Sequence, residues 1–169
     1  MDRKILEMLE ADGRLTAKQI ALMLDKEEGE IRDMIQKFEA DGVILGYKAI
    51  VDWDKTDRES VTALIEVKIT PQKGMGFDEI ARQIYSHHQV ESVYLMSGGF
   101  DLCLIVEGHT MRDVAYFVAE KLATIDGVAS TATHFVLQRY KDGGIVFDNE
   151  ETDKRGNCLL YTSPSPRDS

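Results

Sequence analysis

Apolar residues recur along the first forty positions at the three- and four-residue spacing of amphipathic helices. Ile5, Leu6 and Leu9 fall on one face of a segment spanning 3–11, which Asp12-Gly13 stops. Thr16-Ala-Lys-Gln19 has the form of a capping box, in which the Thr hydroxyl takes an orphan N–H and the Gln side chain reaches back. The short helix behind it is expected to turn Ile20, Met23 and Leu24 inward. Asp25-Lys-Glu-Glu28 repeats the capping logic, and Ile31, Met34, Ile35 and Phe38 then stand at i, i+3, i+4 and i+7 of a third helix that ends at Asp41-Gly42. Val43 to Val51 reads as a short extended wing or strand. Three short helices, a tight turn between the last two and a wing describe a winged helix-turn-helix.

From residue 61 the period changes. Val61, Ala63, Ile65, Val67 and Ile69 alternate with Thr62, Glu66, Lys68 and Thr70, the pattern of a half-buried strand. Pro71 to Gly76 is a turn, and Phe77, Ile80, Ala81, Ile84 and Tyr85 form a helical stripe. Strands follow at Val90–Met96 and Asp101–Glu107 around the turn Ser97-Gly98-Gly99. Thr110 caps a helix carrying Met111, Val114, Phe117, Val118, Leu122 and Ile125, and Val128–Tyr140 reads as a long last strand. The order is βαββαβ, a ferredoxin-like split βαβ with both helices on one sheet face. The uncovered face calls for a partner. The fold class is α+β. The expected division is a helix-turn-helix unit at 1–47, a linker at 48–60, a ferredoxin-like oligomerisation unit at 61–141, and a tail at 142–169.

Composition adjusts this picture in places. The charge of −10 runs against the basic footprint usual in nucleic-acid binders. No window approaches the ~18 apolar residues of a membrane span. Met-Asp-Arg-Lys leads straight into an amphipathic pattern, so no secretory signal and a cytoplasmic location are expected. Cys103 and Cys158 have no metal-ligand spacing and suit a reducing compartment. Asp52, Asp54 and Asp57 echo a calcium loop, but Asp57 and Ala63 stand where it needs Gly and Glu, so a solvated linker is expected. The stretch from Cys158 to Asp168 carries two of the three prolines and has no period. It resembles a translated transposase adapter from sequencing libraries and is expected to carry no function.

Several stretches together resemble the Lrp/AsnC family of leucine-responsive and asparagine-operon regulators: Asp2-Arg-Lys-Ile-Leu6 with Asp12-Gly-Arg-Leu15, Glu39 to Tyr47, Tyr94-Leu-Met-Ser-Gly-Gly-Phe-Asp101, Lys121 to Val128, and Ser130 to Leu137. The resemblance covers roughly 2–141. It implies a regulator that binds double-stranded DNA, a homodimer built through the C-terminal sheets, assembly into tetramers or octamers, and an amino-acid effector near the Gly-rich turn. No cofactor is implied. On the family pattern, Ser97, Gly98, Gly99 and Asp101 are the first candidates for the effector, with Thr131, Thr133 and His134 behind them. The chemistry is compatible. Paired glycines let backbone approach a ligand, turn N–H groups hold a carboxylate, and Asp101 suits an α-ammonium. A plain hairpin turn with Asp101 as its local acceptor is the other reading.

For DNA, Arg32, Gln36 and Lys37 are expected to face the groove, with Arg14, Lys18 and Lys48 on the backbone. Between Asp25 and Asp41, however, seven acids stand against three bases, with Glu27, Glu28, Glu30 and Asp33 where the family puts Ser, Thr or Pro and then basic residues. Acids in a first turn suit the helix dipole but repel phosphate. Weak modules gathered by oligomerisation would answer this. An amino-acid sensor without DNA binding is an alternative. An enzyme resembling the sirohaem decarboxylases is another, resting on His87, His88, His109 and His134. Packing is the expected fate of each of these histidines.

Overall fold

A computed structural model describes residues 2–147, so the stretch 158–168 lies outside the described residues. The chain divides into two units, with the division between Val51 and Asp52.

The first unit holds α1 (Asp2–Ala11), α2 (Ala17–Leu24) and α3 (Glu28–Ala40). Its core is Ile5, Leu9, Ile20, Ala21 and Ile31, with Met34, Ile35 and Phe38 packed against it. The α2 cap forms as the sequence predicts: Thr16 Oγ accepts the Gln19 N–H at 3.2 Å, and Gln19 Oε1 accepts the Thr16 N–H at 2.9 Å. Three expectations are corrected. Met23 is 57% exposed, because Ala21 takes the inward position beside Ile20. Glu27 caps α3 without a side-chain hydrogen bond, and Asp25 serves instead as the left-handed C-cap of α2, with φ 53°. Val43 to Val51 joins no sheet; its start is tied back by the Val43 and Ile44 N–H groups, which both donate to Phe38 O.

The second unit contains β1 (Val61–Ile69), α4 (Phe77–Tyr85), β2 (Val90–Leu95), β3 (Leu102–Gly108), α5 (Met111–Phe117), a π-helical turn at Val118–Leu122 and β4 (Val128–Phe135). The sheet order is β2-β3-β1-β4, all antiparallel, as a βαββαβ chain requires. Ala63, Ile65, Val67, Leu102, Leu104 and Val106 point to the helices and meet Ile80, Ile84, Val114, Phe117 and Leu122. Each fully buried aliphatic side chain contributes roughly 1.5–3 kcal/mol. Gly127, at φ +92°, closes the approach to β4; a Cβ there would stand 2.8 Å from Ile80 Cδ1.

β4 ends at Phe135, well short of the predicted Tyr140. Val136 N–H still donates to Thr62 O, but β1 begins at Val61 and offers no further neighbour. The chain then forms a small hairpin, β5 (Lys141–Asp142) with β6 (Ile145–Val146), inside the predicted tail. β2 stops at Leu95 and β3 starts at Leu102, each one residue inside the expected ends. The predicted linker holds a 3₁₀ turn, Trp53–Lys55, whose Trp53 ring carries the Arg58 guanidinium 4.3 Å from its centroid.

The strand registers set the other sheet face. Tyr94, Cys103, Glu66 and Ala132 form one cross-strand row, and Ser92, Ile105, Leu64 and His134 the next. Among the described residues this face is only partly covered: Tyr94 is 54% exposed and the His134 side chain 58%, while Cys103 lies buried in the middle of its row.

Candidate nucleic-acid interface and effector site

In the first unit, Lys18 stands in the first turn of α2, and Arg14 is exposed just before its cap, its N–H donating to Asp12 Oδ1 at 2.9 Å. Arg32, Gln36 and Lys37 are all exposed on α3. Arg32 pairs with Glu28 one turn earlier, so one of the few cations of this helix is already partly engaged by an acid. Arg32 and Gln36 line a hollow of about 260 Å³ with Leu15, Ala17, Glu39 and Tyr47, on the side of α3 nearest the start of α2. Tyr47 donates its hydroxyl to Glu39 Oε1 at 2.9 Å, and its ring lies over Gly13, where a Cβ would stand 3.3 Å from Tyr47 Cδ1. Burial, the hydrogen bond to Glu39 and the charge of that carboxylate together raise the phenol pKa. This clamp was not foreseen from sequence; the Asp-Gly stop opposite an aromatic wing residue was its only signal.

At the second unit's Gly-rich turn, Gly98 adopts φ +144°, a conformation other residues rarely take. Asp101 ties the turn to the sheet. Its N–H donates to Val67 O at 2.9 Å, its carbonyl accepts the Met96 N–H at 2.8 Å, and Oδ2 accepts the Ile69 N–H at 2.7 Å. That last bond falls at the register shift between Lys68 and Ile69, where the β1–β4 ladder breaks. Asp101 is therefore a structural acceptor at the end of the sheet. Next to it, Ile69, Pro71, Met75 and Phe77 line a mostly apolar hollow of about 350 Å³, which the sequence reading passed over as a turn.

The three second-choice residues do not converge. Thr131 and Thr133 pair with Val67 and Ile65 on the helix-covered face, whereas His134 alternates to the open face, 3.6 Å from Glu66. His87 packs edge-on against Phe117 at 5.6 Å, while His88 and His109 line a cleft of about 460 Å³ with Arg58, Glu107 and Tyr116. Among the described residues, no group of three His, Cys, Asp or Glu is placed to hold a metal ion, and no helix is long and apolar enough to cross a membrane.

A winged helix-turn-helix followed by a ferredoxin-like sensing unit defines a class: the DNA-binding transcription regulators that carry their own ligand-binding domain. Comparison with known proteins makes it specific. Residues 62–146 match the Lrp/AsnC ligand binding domain, and residues 1–44 a winged helix-turn-helix DNA-binding domain. The chain belongs to the Lrp/AsnC family. It is 48% identical over 155 residues to the uncharacterized HTH-type transcriptional regulator YugG of Bacillus subtilis (strain 168), covering 91% of this chain and 93% of that one. Among solved structures, AsnC of E. coli aligns with TM-score 0.64 at 22% identity, over 82% of this chain and 91% of that one. The regulator NMB0573 of Neisseria meningitidis, in complex with L-Met, aligns with TM-score 0.69 at 23% identity, over 83% and 91%. At such identities these likenesses speak for the fold.

Proposed function

We propose that this regulator grips DNA through the α2–α3 units of an oligomer and that an amino acid bound beside the Gly98 turn alters that grip. The single observation carrying this reading is the built corner at the sheet end. Asp101, which closes a turn with a left-handed glycine, accepts the Ile69 N–H, and Ile69 lines the apolar hollow with Pro71, Met75 and Phe77. Such a corner offers N–H groups to an α-carboxylate, a carboxylate to an α-ammonium and apolar space to a side chain. The L-Met complex of the Neisseria regulator supports an amino acid as the ligand class. Ser97, Gly98, Gly99 and Asp101 are the contact residues of this reading. Thr131 and Thr133, which face the helix layer, and His134, which faces away from it, are left outside the site.

Dimerisation through the open sheet face, with Leu64, Ile105 and Tyr94 on it, brings two α3 helices onto one DNA, and tetramers or octamers multiply the contacts. Arg14, Lys18 and Lys48 serve as phosphate contacts, and Arg32, Gln36 and Lys37 as groove contacts. Such a regulator works in the cytoplasm, where the chromosome is. Because α3 is acidic, a sensor without DNA binding is the second reading.

A thermal-shift screen against the amino acids tests the sensing half, since a ligand held only by the folded state raises the melting temperature. One or a few amino acids should give shifts that Asp101→Ala abolishes; no shift with any of them overturns it. Electrophoretic shifts on the DNA upstream of the protein's own gene, across salt concentrations, test the other half. Salt-sensitive binding that Arg32→Ala weakens several-fold supports the groove placement. Absence of any shift favours the sensor.

A further inference from the structure

Ile31, Met34, Ile35 and Phe38 turn α3 into the core of the first unit. At 3.6 residues per turn, the line opposite them runs through Gly29, Asp33, Gln36 and Ala40, and all four are exposed. Arg32 flanks this line on one side, Glu30 and Lys37 on the other. At Gly29 nothing lies within 4 Å of where a Cβ would stand, and Ala40 projects only a methyl. The line is low at both ends and carries a carboxylate and an amide in its middle. Among the described residues, the Asp33 carboxylate makes no ion pair or hydrogen bond, whereas neighbouring Arg32 is taken by Glu28.

We propose that Asp33 is a specificity-determining residue that reads cytosine in the operator. With α3 in a major groove, the middle of its outward line meets base edges. A carboxylate only accepts hydrogen bonds, and the N4 amino group of cytosine is the donor that a C·G pair presents there. Guanine O6 and N7 and thymine O4 are acceptors and repel it. Adenine offers its amino group only beside the N7 acceptor. Gln36 follows three residues on, roughly 4.5 Å along the helix axis. That is close to one base-pair step of roughly 3.4 Å. Its amide has the donor and acceptor for adenine N6 and N7. Each half-site therefore carries a C·G pair next to an A·T pair. The carboxylate lowers affinity for every sequence by repelling phosphates, and lowers it least where a cytosine amino group meets it. An acid in this place trades overall affinity for discrimination.

This inference rests on the DNA-binding reading above. The test is selection from a randomised duplex library with the full-length protein, the Asp33→Ala variant and the Asp33→Asn variant, with helix content checked by circular dichroism. The wild type should enrich half-sites with a fixed C·G pair beside an A·T pair. Asp33→Ala should lose the cytosine preference, a change of about tenfold in relative affinity, and bind random duplexes more tightly at low salt. Asp33→Asn should move the preference toward A·T, since Asn pairs with adenine. A wild-type site with no fixed cytosine, or an Asp33→Ala variant that keeps it, overturns the role of Asp33 and leaves DNA binding intact. No enrichment by the wild type removes the DNA-binding reading itself, and this inference with it.

Discussion

Asp101 carries two demands on one carboxylate. One oxygen accepts the Ile69 N–H where the β1–β4 register shifts, and the proposed site asks the same group to face an α-ammonium. Asp101→Ala leaves a part-buried N–H unsatisfied, at a cost of about 1–3 kcal/mol. It should therefore lower the midpoint of urea unfolding even without effector, in addition to removing any ligand shift. The Gly98-Gly99 pair and the acid after it were legible as a turn and an acceptor. Which N–H the acid takes was not, because that depends on a bulge thirty-two residues away. The same limit explains the threonines. Alternation put Thr131 and Thr133 on one face, but only the pairing with β1 shows that face to be the helix-covered one. Cys103, 7% exposed at the centre of the open face, has its thiol pushed up by burial and, to a lesser degree, by the charge of Glu66. A raised thiol pKa leaves less thiolate at neutral pH, the reactive form. Alkylation of native protein should be slow at pH 7.5, faster in Glu66→Gln and fastest in urea. Equal rates in all three would contradict this account.

Among the elements, the helix starts divide by whether their signals are local. Thr16 and Thr110 both close capping boxes within three residues, and both were visible in the sequence. Thr16→Ala should cost about 1 kcal/mol of stability in the first unit, measurable by denaturant titration, with little effect on the second. The acid-rich start of α3 imitated a box, yet the Glu27 side chain makes no capping bond, because the left-handed Asp25 ends α2 with its backbone N–H donating to Ala21 O. The length of β4 was misjudged for a non-local reason. Its hydrophobic alternation runs on past Phe135, but a strand lasts only as long as its neighbour, and β1 has ended. The π-helical turn at Val118–Leu122 left no mark in the pattern, since Phe117 and Leu122 reach the core on either side of it.

Across the whole molecule, two units with separate cores share one chain, and in the proposed assembly copies meet through the sheet face that the helices leave open. Ile105→Lys puts a charge in the middle of that face while leaving the helix-side core untouched. It should yield a folded monomer by sedimentation, with operator binding reduced at least tenfold through lost avidity; an unchanged oligomer would place the dimer contact elsewhere. The change of hydrophobic period near residue 61 marks two units in the sequence, while contacts divide the chain earlier, between Val51 and Asp52; the family was legible from the motifs in both. The acidity of α3 has a consequence for how such a protein finds its target. Most regulators spend their time on bulk chromosome, held by non-specific contacts that a basic face provides. In the proposed docking, the Asp33 carboxylate in the middle of the reading face shortens each such visit. The search then runs through free solution more than along the duplex, and fewer molecules are sequestered on the vast excess of competing sites.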